Sequence, residues 1–90
     1  MYRIKFTVDS EAEFSKLDGS VKQQVWRALE KRAVNPVVPS SRLSGTSGNL
    51  FRLKFREAGL RLIYEVIDDE VVILVLKIGR RDDKKIYVVD

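Results

Sequence analysis

The sequence predicts an α+β fold with the order β-α-α-β-β-β, in which a helical hairpin packs on a mainly antiparallel sheet. Three observations predict it. Residues 2–8 alternate apolar and polar side chains, the period of a strand with one buried face. Val21, Val25, Leu29 and Ala33 follow at every fourth position, one stripe of a helix. Beyond Asn49 come three apolar-rich runs separated by short turn sequences, the pattern of an antiparallel meander.

In the first run, Tyr2, Ile4, Phe6 and Val8 face one way and Arg3, Lys5 and Thr7 the other. Ser10 followed by Glu13 reads as a capping box that opens a short helix, with Phe14 and Leu17 turned inward. Gly19-Ser20 breaks the chain, and Ser20 with Gln23 repeats the start signal for a second helix. Asn35 precedes Pro36, and a residue before proline is pushed out of helical conformation, so the helix ends there. Residues 36–48 are rich in Pro, Ser and Gly and read as a long surface connection that Leu43 pins down.

The meander begins with Phe51-Arg52-Leu53-Lys54-Phe55-Arg56 and turns at Glu57-Ala58-Gly59. If Ala58-Gly59 is a two-residue loop, Phe55 faces Leu62, Leu53 faces Tyr64 and Phe51 faces Val66. All the large apolar residues then share a face, whereas a one-residue slip scatters them. The other face carries Arg52, Lys54, Arg56 and Arg61, four cations that no core requires. The last run, residues 71–78, is apolar at nearly every position, which suits a central strand. A turn at Asp68-Asp69 brings Arg80 and Arg81 out at the same end as Arg56 and Arg61.

Composition narrows the function. At 90 residues and 44% hydrophobic content, residues 1–90 are expected to form one domain of modest stability. Cysteine is absent, which rules out disulfides and thiolate chemistry and fits a cytoplasmic location. The first residues show no signal-peptide pattern, and no apolar run approaches the roughly 20 residues that span a bilayer. Seventeen Lys and Arg against 13 Asp and Glu leave a net charge of +4, which favours an anionic partner such as nucleic acid or an acidic protein.

Histidine is also absent, so imidazole acid-base catalysis and Ser-His-Asp or Cys-His nucleophiles cannot operate. Asp68-Asp69-Glu70 lies in a turn, where alternate side chains point apart and make a poor metal site. Neither a metal nor a small-molecule cofactor is expected. Cutting RNA without one needs three things: activation of a ribose 2′-OH, stabilisation of a phosphorane's charge, and a proton for the departing 5′-oxygen. Arginine forks and lysine ammonium groups can hold phosphate, and a lysine among like charges is pushed towards a proton-accepting state. Lys54 has such neighbours. Arg52, Arg56, Arg80 and Lys77 are candidates for contacting the RNA. The competing reading is a solvated or aggregation-resistant strand face, and Arg80-Arg81 before Asp82-Asp83 also reads as a charged turn. Tyr64 belongs to the core. Tyr87 has no evident core role and could stack on a base. Trp26 reads as helix packing or an exposed partner contact.

The helical hairpin, Arg42-Leu43-Ser44-Gly45, the Phe51 to Arg56 run, Gly59-Leu60-Arg61-Leu62-Ile63-Tyr64, Ile67-Asp68, Ile78-Gly79-Arg80-Arg81 and Tyr87 occur in an order and spacing that resembles the RelE branch of the RelE/ParE toxin superfamily. The resemblance covers nearly the whole chain. It implies the β-α-α-β-β-β fold, a cognate antitoxin that wraps the toxin, and cleavage of mRNA in the ribosomal A site. It also implies roles: Lys54 as general base, Arg61 as phosphate and transition-state stabiliser, Arg81 as aid to the leaving oxygen, and Tyr87 as the stacking residue. Arg52 stands where the family pattern has lysine; arginine still binds phosphate but stays protonated. The rival functions are a ParE-like inhibitor of DNA gyrase on the same fold and a noncatalytic RNA- or ribosome-binding module.

Overall fold

The computed structural model describes residues 1–44 and 48–80. Strand β1, Arg3–Phe6, is followed by helix α1, Val8–Ser15, and helix α2, Gly19–Val34. A short 3-10 turn at Pro39–Ser41 leads to β2, Leu50–Phe55, then β3, Leu60–Ile67, a 3-10 turn at Asp68–Glu70, and β4, Val72–Arg80. The strands lie in the order β1-β4-β3-β2. The apolar β4 is therefore interior, as its composition predicts. It pairs parallel with β1 and antiparallel with β3, and β3 pairs antiparallel with β2.

The start of α1 differs from the expectation. Its cap is Thr7, whose side-chain oxygen accepts from the Ser10 backbone N–H at 3.1 Å. Ser10 lies in the first turn and is fully buried; its hydroxyl donates to the Val75 carbonyl at 2.6 Å. Nor does Glu13 close a capping box, because its carboxylate accepts from the Ile78 backbone N–H at 3.0 Å. The reason lies in the sheet. The β1 pairing stops at Phe6 opposite Val75, while β4 runs on to Arg80, and backbone groups left on a covered edge need partners. Glu13 supplies one for the Ile78 N–H, and Ser10 adds a second bond to the Val75 carbonyl, which also accepts from the Thr7 N–H at 3.2 Å. Ser10→Ala is expected to lower stability by about 1 kcal/mol, measured as the shift in a urea unfolding midpoint; no shift would show that the Val75 contact contributes nothing.

Helix α2 begins at Gly19, capped by Asp18 rather than Ser20 and without a side-chain cap bond. Its inward stripe is the expected one: Val25, Leu29 and Ala33 are buried and Val21 packs at their margin. Asn35 caps the C-terminus. The stripe meets Phe51, Leu53, Leu62, Tyr64, Val66, Ile73, Val75 and Ile78 on one face of the sheet. Phe51 and Tyr64 stack there with ring centroids 5.5 Å apart.

The register of β2 on β3 is two residues from the expected one. Phe55 lies opposite Leu60, Leu53 opposite Leu62, Phe51 opposite Tyr64 and Lys54 opposite Arg61. Residues 56–59 form the whole turn, closed by the Gly59 N–H donating to the Arg56 carbonyl at 3.2 Å. Gly59 has φ of 68°, a left-handed conformation that glycine adopts without steric cost. A slip of two keeps every side chain on its face, so alternation alone cannot detect it. A β-bulge between Ile63 and Tyr64 leaves Leu76 as the extra residue, since Ile63 pairs with Lys77 and Tyr64 with Val75.

A second, smaller cluster lies on the sheet face away from the helices, where Leu43, Leu50 and Ile63 are buried against Leu76. Leu43 thus anchors the long connection as expected, and its N–H donates to the Leu50 carbonyl at 2.9 Å. After the acidic turn, Val71 adopts φ of 55° and is nearly half exposed. A β-branched residue is strained there, at roughly 1–2 kcal/mol. Val71→Asn or Val71→Gly is expected to raise stability by about 1 kcal/mol, seen as a higher thermal midpoint; a lower midpoint for both would refute the strain.

Candidate nucleic-acid interface

Antiparallel pairing decides which cations meet. Lys54 of β2 lies directly across from Arg61 of β3, which lies across from Gly79 of β4. The adjacent row on the same face is Arg52, Ile63 and Lys77. Directly opposed side chains stand about 4.5–5.5 Å apart at Cβ, and like charges so placed destabilise a sheet. Gly79 adds no side chain to its row. The result is a cationic strip of Arg52, Lys54, Arg61 and Lys77 opposite the helix-covered face. Lys54 is exposed, and the other three are half-buried.

Two expected members stand elsewhere. Arg56 opens the turn at 56–59 instead of extending β2, so it does not share the strand face. Arg80 does emerge at that end of the sheet, but its row is Phe55, Leu60 and Arg80, which alternates away from Lys54 and Arg61. Both departures follow from the two-residue register difference and the pleat. Arg81 and Tyr87 lie outside the described residues. Lys77 joins the strip through the bulge, which resets the pairing of β4.

The acidic turn sits at the opposite end of the β3–β4 hairpin. Seven strand steps, roughly 20 Å, separate Leu60 from Ile67, and Asp68 accepts a hydrogen bond from the Tyr2 hydroxyl at 2.8 Å. That carboxylate pushes the Tyr2 phenol above its ordinary pKa. Tyr64, expected in the core, is fully buried. Its hydroxyl donates to the Pro36 carbonyl at 2.8 Å and accepts from Arg32 at 2.9 Å. Burial raises the Tyr64 pKa, and the Arg32 guanidinium partly offsets the rise.

Arg32 was not among the expected site residues. It lies in the last turn of α2, next to Lys31, where a basic residue reads as helix-dipole compensation. Yet it lines a pocket of about 270 Å³ with Ser40, Ser41, Arg52, Leu53 and Lys54, at the edge of β2. Only the fold of the 36–44 connection back over that edge brings these groups together. Trp26, 40% exposed, lies outside the core on the other side of the molecule. It borders one groove with Phe14, Lys22 and Arg27 and another with Tyr2, Ile4 and Ala33.

Comparison with known proteins places the sequence and the fold in a family. The family described as "ParE toxin of type II toxin-antitoxin system, parDE" matches residues 4–85. A RelE-like toxin protein of Escherichia coli is 37% identical over 86 residues, spanning 96% of this chain and 90% of its own length. The mRNA interferase toxin RelE of Escherichia coli K12 is 30% identical over the same lengths. Among solved structures, the intact Escherichia coli RelBE toxin–antitoxin complex contains a chain that superposes with a TM-score of 0.86 at 29% identity, covering 92% of this chain and all of that one. The ParE description names the wider group, and these relatives place the sequence on its RelE side. With the fold order and these matches in agreement, the chain belongs to the RelE/ParE superfamily as a RelE-type toxin.

Proposed function

We propose that this toxin is an endoribonuclease that cuts mRNA in the ribosomal A site, without a metal, and that a cognate antitoxin neutralises it. The observation that carries the reading is the placement of Lys54 directly across from Arg61. Side chains directly opposed on neighbouring strands stand about 4.5–5.5 Å apart at Cβ, so both can reach one phosphodiester, the lysine towards its 2′-oxygen and the arginine towards its non-bridging oxygens. Kinship with a protein named mRNA interferase toxin RelE supports the same reading.

In this mechanism Lys54, as the free amine, takes the proton of the ribose 2′-OH, and the 2′-oxygen attacks phosphorus. Arg61 donates to the non-bridging oxygens as negative charge builds on the phosphorane. The P–O5′ bond breaks, and the leaving oxygen takes up a proton with the help of Arg81. Tyr87 stacks on the base and holds the sugar in line. The products are a 2′,3′-cyclic phosphate and a 5′-OH. The metal-free reading rests on the side chains available: the chain has neither His nor Cys, and among the described residues the consecutive acids Asp68, Asp69 and Glu70 lie at the far end of the hairpin. The antitoxin, by analogy with the RelBE complex, is a small acidic or amphipathic protein that covers the cationic strip or displaces the segment bearing Tyr87.

The test is to add purified protein to programmed ribosomes and map the mRNA ends. Cuts within the A-site codon, carrying a 5′-OH and persisting when magnesium is exchanged for a chelation-resistant cation that keeps ribosomes assembled, are expected. A 5′-phosphate would make water the nucleophile, and loss of cutting on intact ribosomes would contradict metal independence. Intact mRNA with trapped gyrase would favour the ParE-like activity, and ribosome binding without cleavage a noncatalytic module.

A further inference from the structure

We propose that the pocket between Arg32 and Lys54 at the edge of β2 binds a phosphodiester of the RNA strand next to the one that is cut. This inference rests on the nuclease reading above and extends it to residues outside the cationic strip. The pocket is lined by Arg32, Arg52, Lys54, the hydroxyl residues Ser40 and Ser41, and Leu53. No carboxylate is among these lining residues. Three cations and two hydroxyls converging on one concavity make a receptor for an anion with several acceptor oxygens.

The guanidinium of Arg32 is held before any ligand arrives. One terminal nitrogen donates to the Tyr64 hydroxyl at 2.9 Å and the other to Ser41 Oγ at 3.3 Å. Tyr64 is itself fixed by its bond to the Pro36 carbonyl. A guanidinium has five N–H donors, and these two bonds go to neutral hydroxyls, which hold its orientation without cancelling its charge. A fork so preorganised loses little entropy on meeting a phosphate.

Continuity with the strip points to RNA as the source of the phosphate. Arg52 and Lys54 line the pocket and also belong to the strip that contains Arg61. Two residues along a strand span roughly 7 Å, so a nucleic-acid backbone lying along β2 meets successive cations. A purely structural role, with Arg32 only pinning the end of α2 to Tyr64, would leave RNA binding untouched.

The experiment measures binding of a short single-stranded RNA, methylated at its 2′-oxygens so that it cannot be cut, at several salt concentrations. Each lost phosphate contact makes the slope of log K against log salt shallower by about 0.7 for a single strand. Arg32→Gln is expected to show that change, and Arg32→Lys to keep the wild-type slope. Tyr64→Phe, which disturbs the same hydrogen bonds without removing charge, should also keep it. Should Arg32→Gln fail to fold, Ser41→Asp places a carboxylate beside the intact arginine and should flatten the slope equally.

An unchanged slope in a folded Arg32→Gln or Ser41→Asp protein overturns the proposal, and so does a wild-type protein that does not bind the RNA. Saturable binding of inorganic phosphate that the RNA fails to displace would assign the pocket to a free anion and overturn it as well. The ribosome assay reads the nuclease separately. A-site cleavage with an unchanged slope removes only this subsite, and a flattened slope without cleavage removes only the nuclease.

Discussion

Arg61→Ala is expected to leave the protein folded and to lower single-turnover cleavage on saturating programmed ribosomes by on the order of 100- to 1,000-fold. The fold should survive because Arg61 stands on the face away from the main core, opposite Lys54. The rate should fall because a preorganised donor to developing charge is lost at the step where that charge peaks. Lys54→Ala should fall comparably, and Lys54→Arg separates two roles. Arginine can still hold a phosphate but has no free-base form near neutral pH to accept the 2′-OH proton, so Lys54→Arg should bind at least as tightly as wild type yet cut as slowly as Lys54→Ala. Arg56→Ala is the control, since Arg56 lies in the turn and off the strand face. If the Lys54 and Arg61 variants bind more weakly but cut at the wild-type saturated rate, the strip is a docking surface and their chemical roles must be dropped.

Phe51→Ala should have the largest effect on stability, a loss of about 3–5 kcal/mol. Phe51 is fully buried, stacks on Tyr64, and has the Arg42 guanidinium 4.7 Å from its ring centroid on the outer side. It therefore joins three things: the main core, the hydrogen-bonded Tyr64, and the connection that returns over β2. A small domain has roughly 5–15 kcal/mol in total, so this one truncation removes a large share. Urea denaturation of the wild type and of Phe51→Leu, which retains most of the volume, should bracket it. A midpoint for Phe51→Ala within error of the wild type would mean that the site collapses to fill the cavity.

Much of the fold is legible from side-chain periodicity. The α2 stripe of Val25, Leu29 and Ala33, the apolar β4 in the interior and the inward face of Phe51, Leu53 and Phe55 all follow from it. Helix starts were less legible. Ser10 and Glu13 carry a capping-box spacing, yet both reach across to β4. A nearby N–H and a distant sheet edge compete for the same side chains, and local sequence does not show the edge. The candidate site divides similarly. Alternation placed Arg52, Lys54 and Arg61 on one face, but periodicity assigned Arg56 to it and missed Arg32.

By itself, then, the sequence determined the element order, the buried face of each strand and helix, the absence of thiol and imidazole chemistry, and the cations available to meet an anion. These are properties of spacing and residue type, which a one-dimensional pattern carries. The tertiary structure decided which cation stands opposite which. The turn at 56–59 sets Lys54 against Arg61, the bulge at Leu76 brings Lys77 into the neighbouring row, and the connection before β2 carries Ser40 and Ser41 to Arg32. Registers two residues apart present identical faces. The choice between them rests on turn geometry and packing, which exist only once the chain has folded.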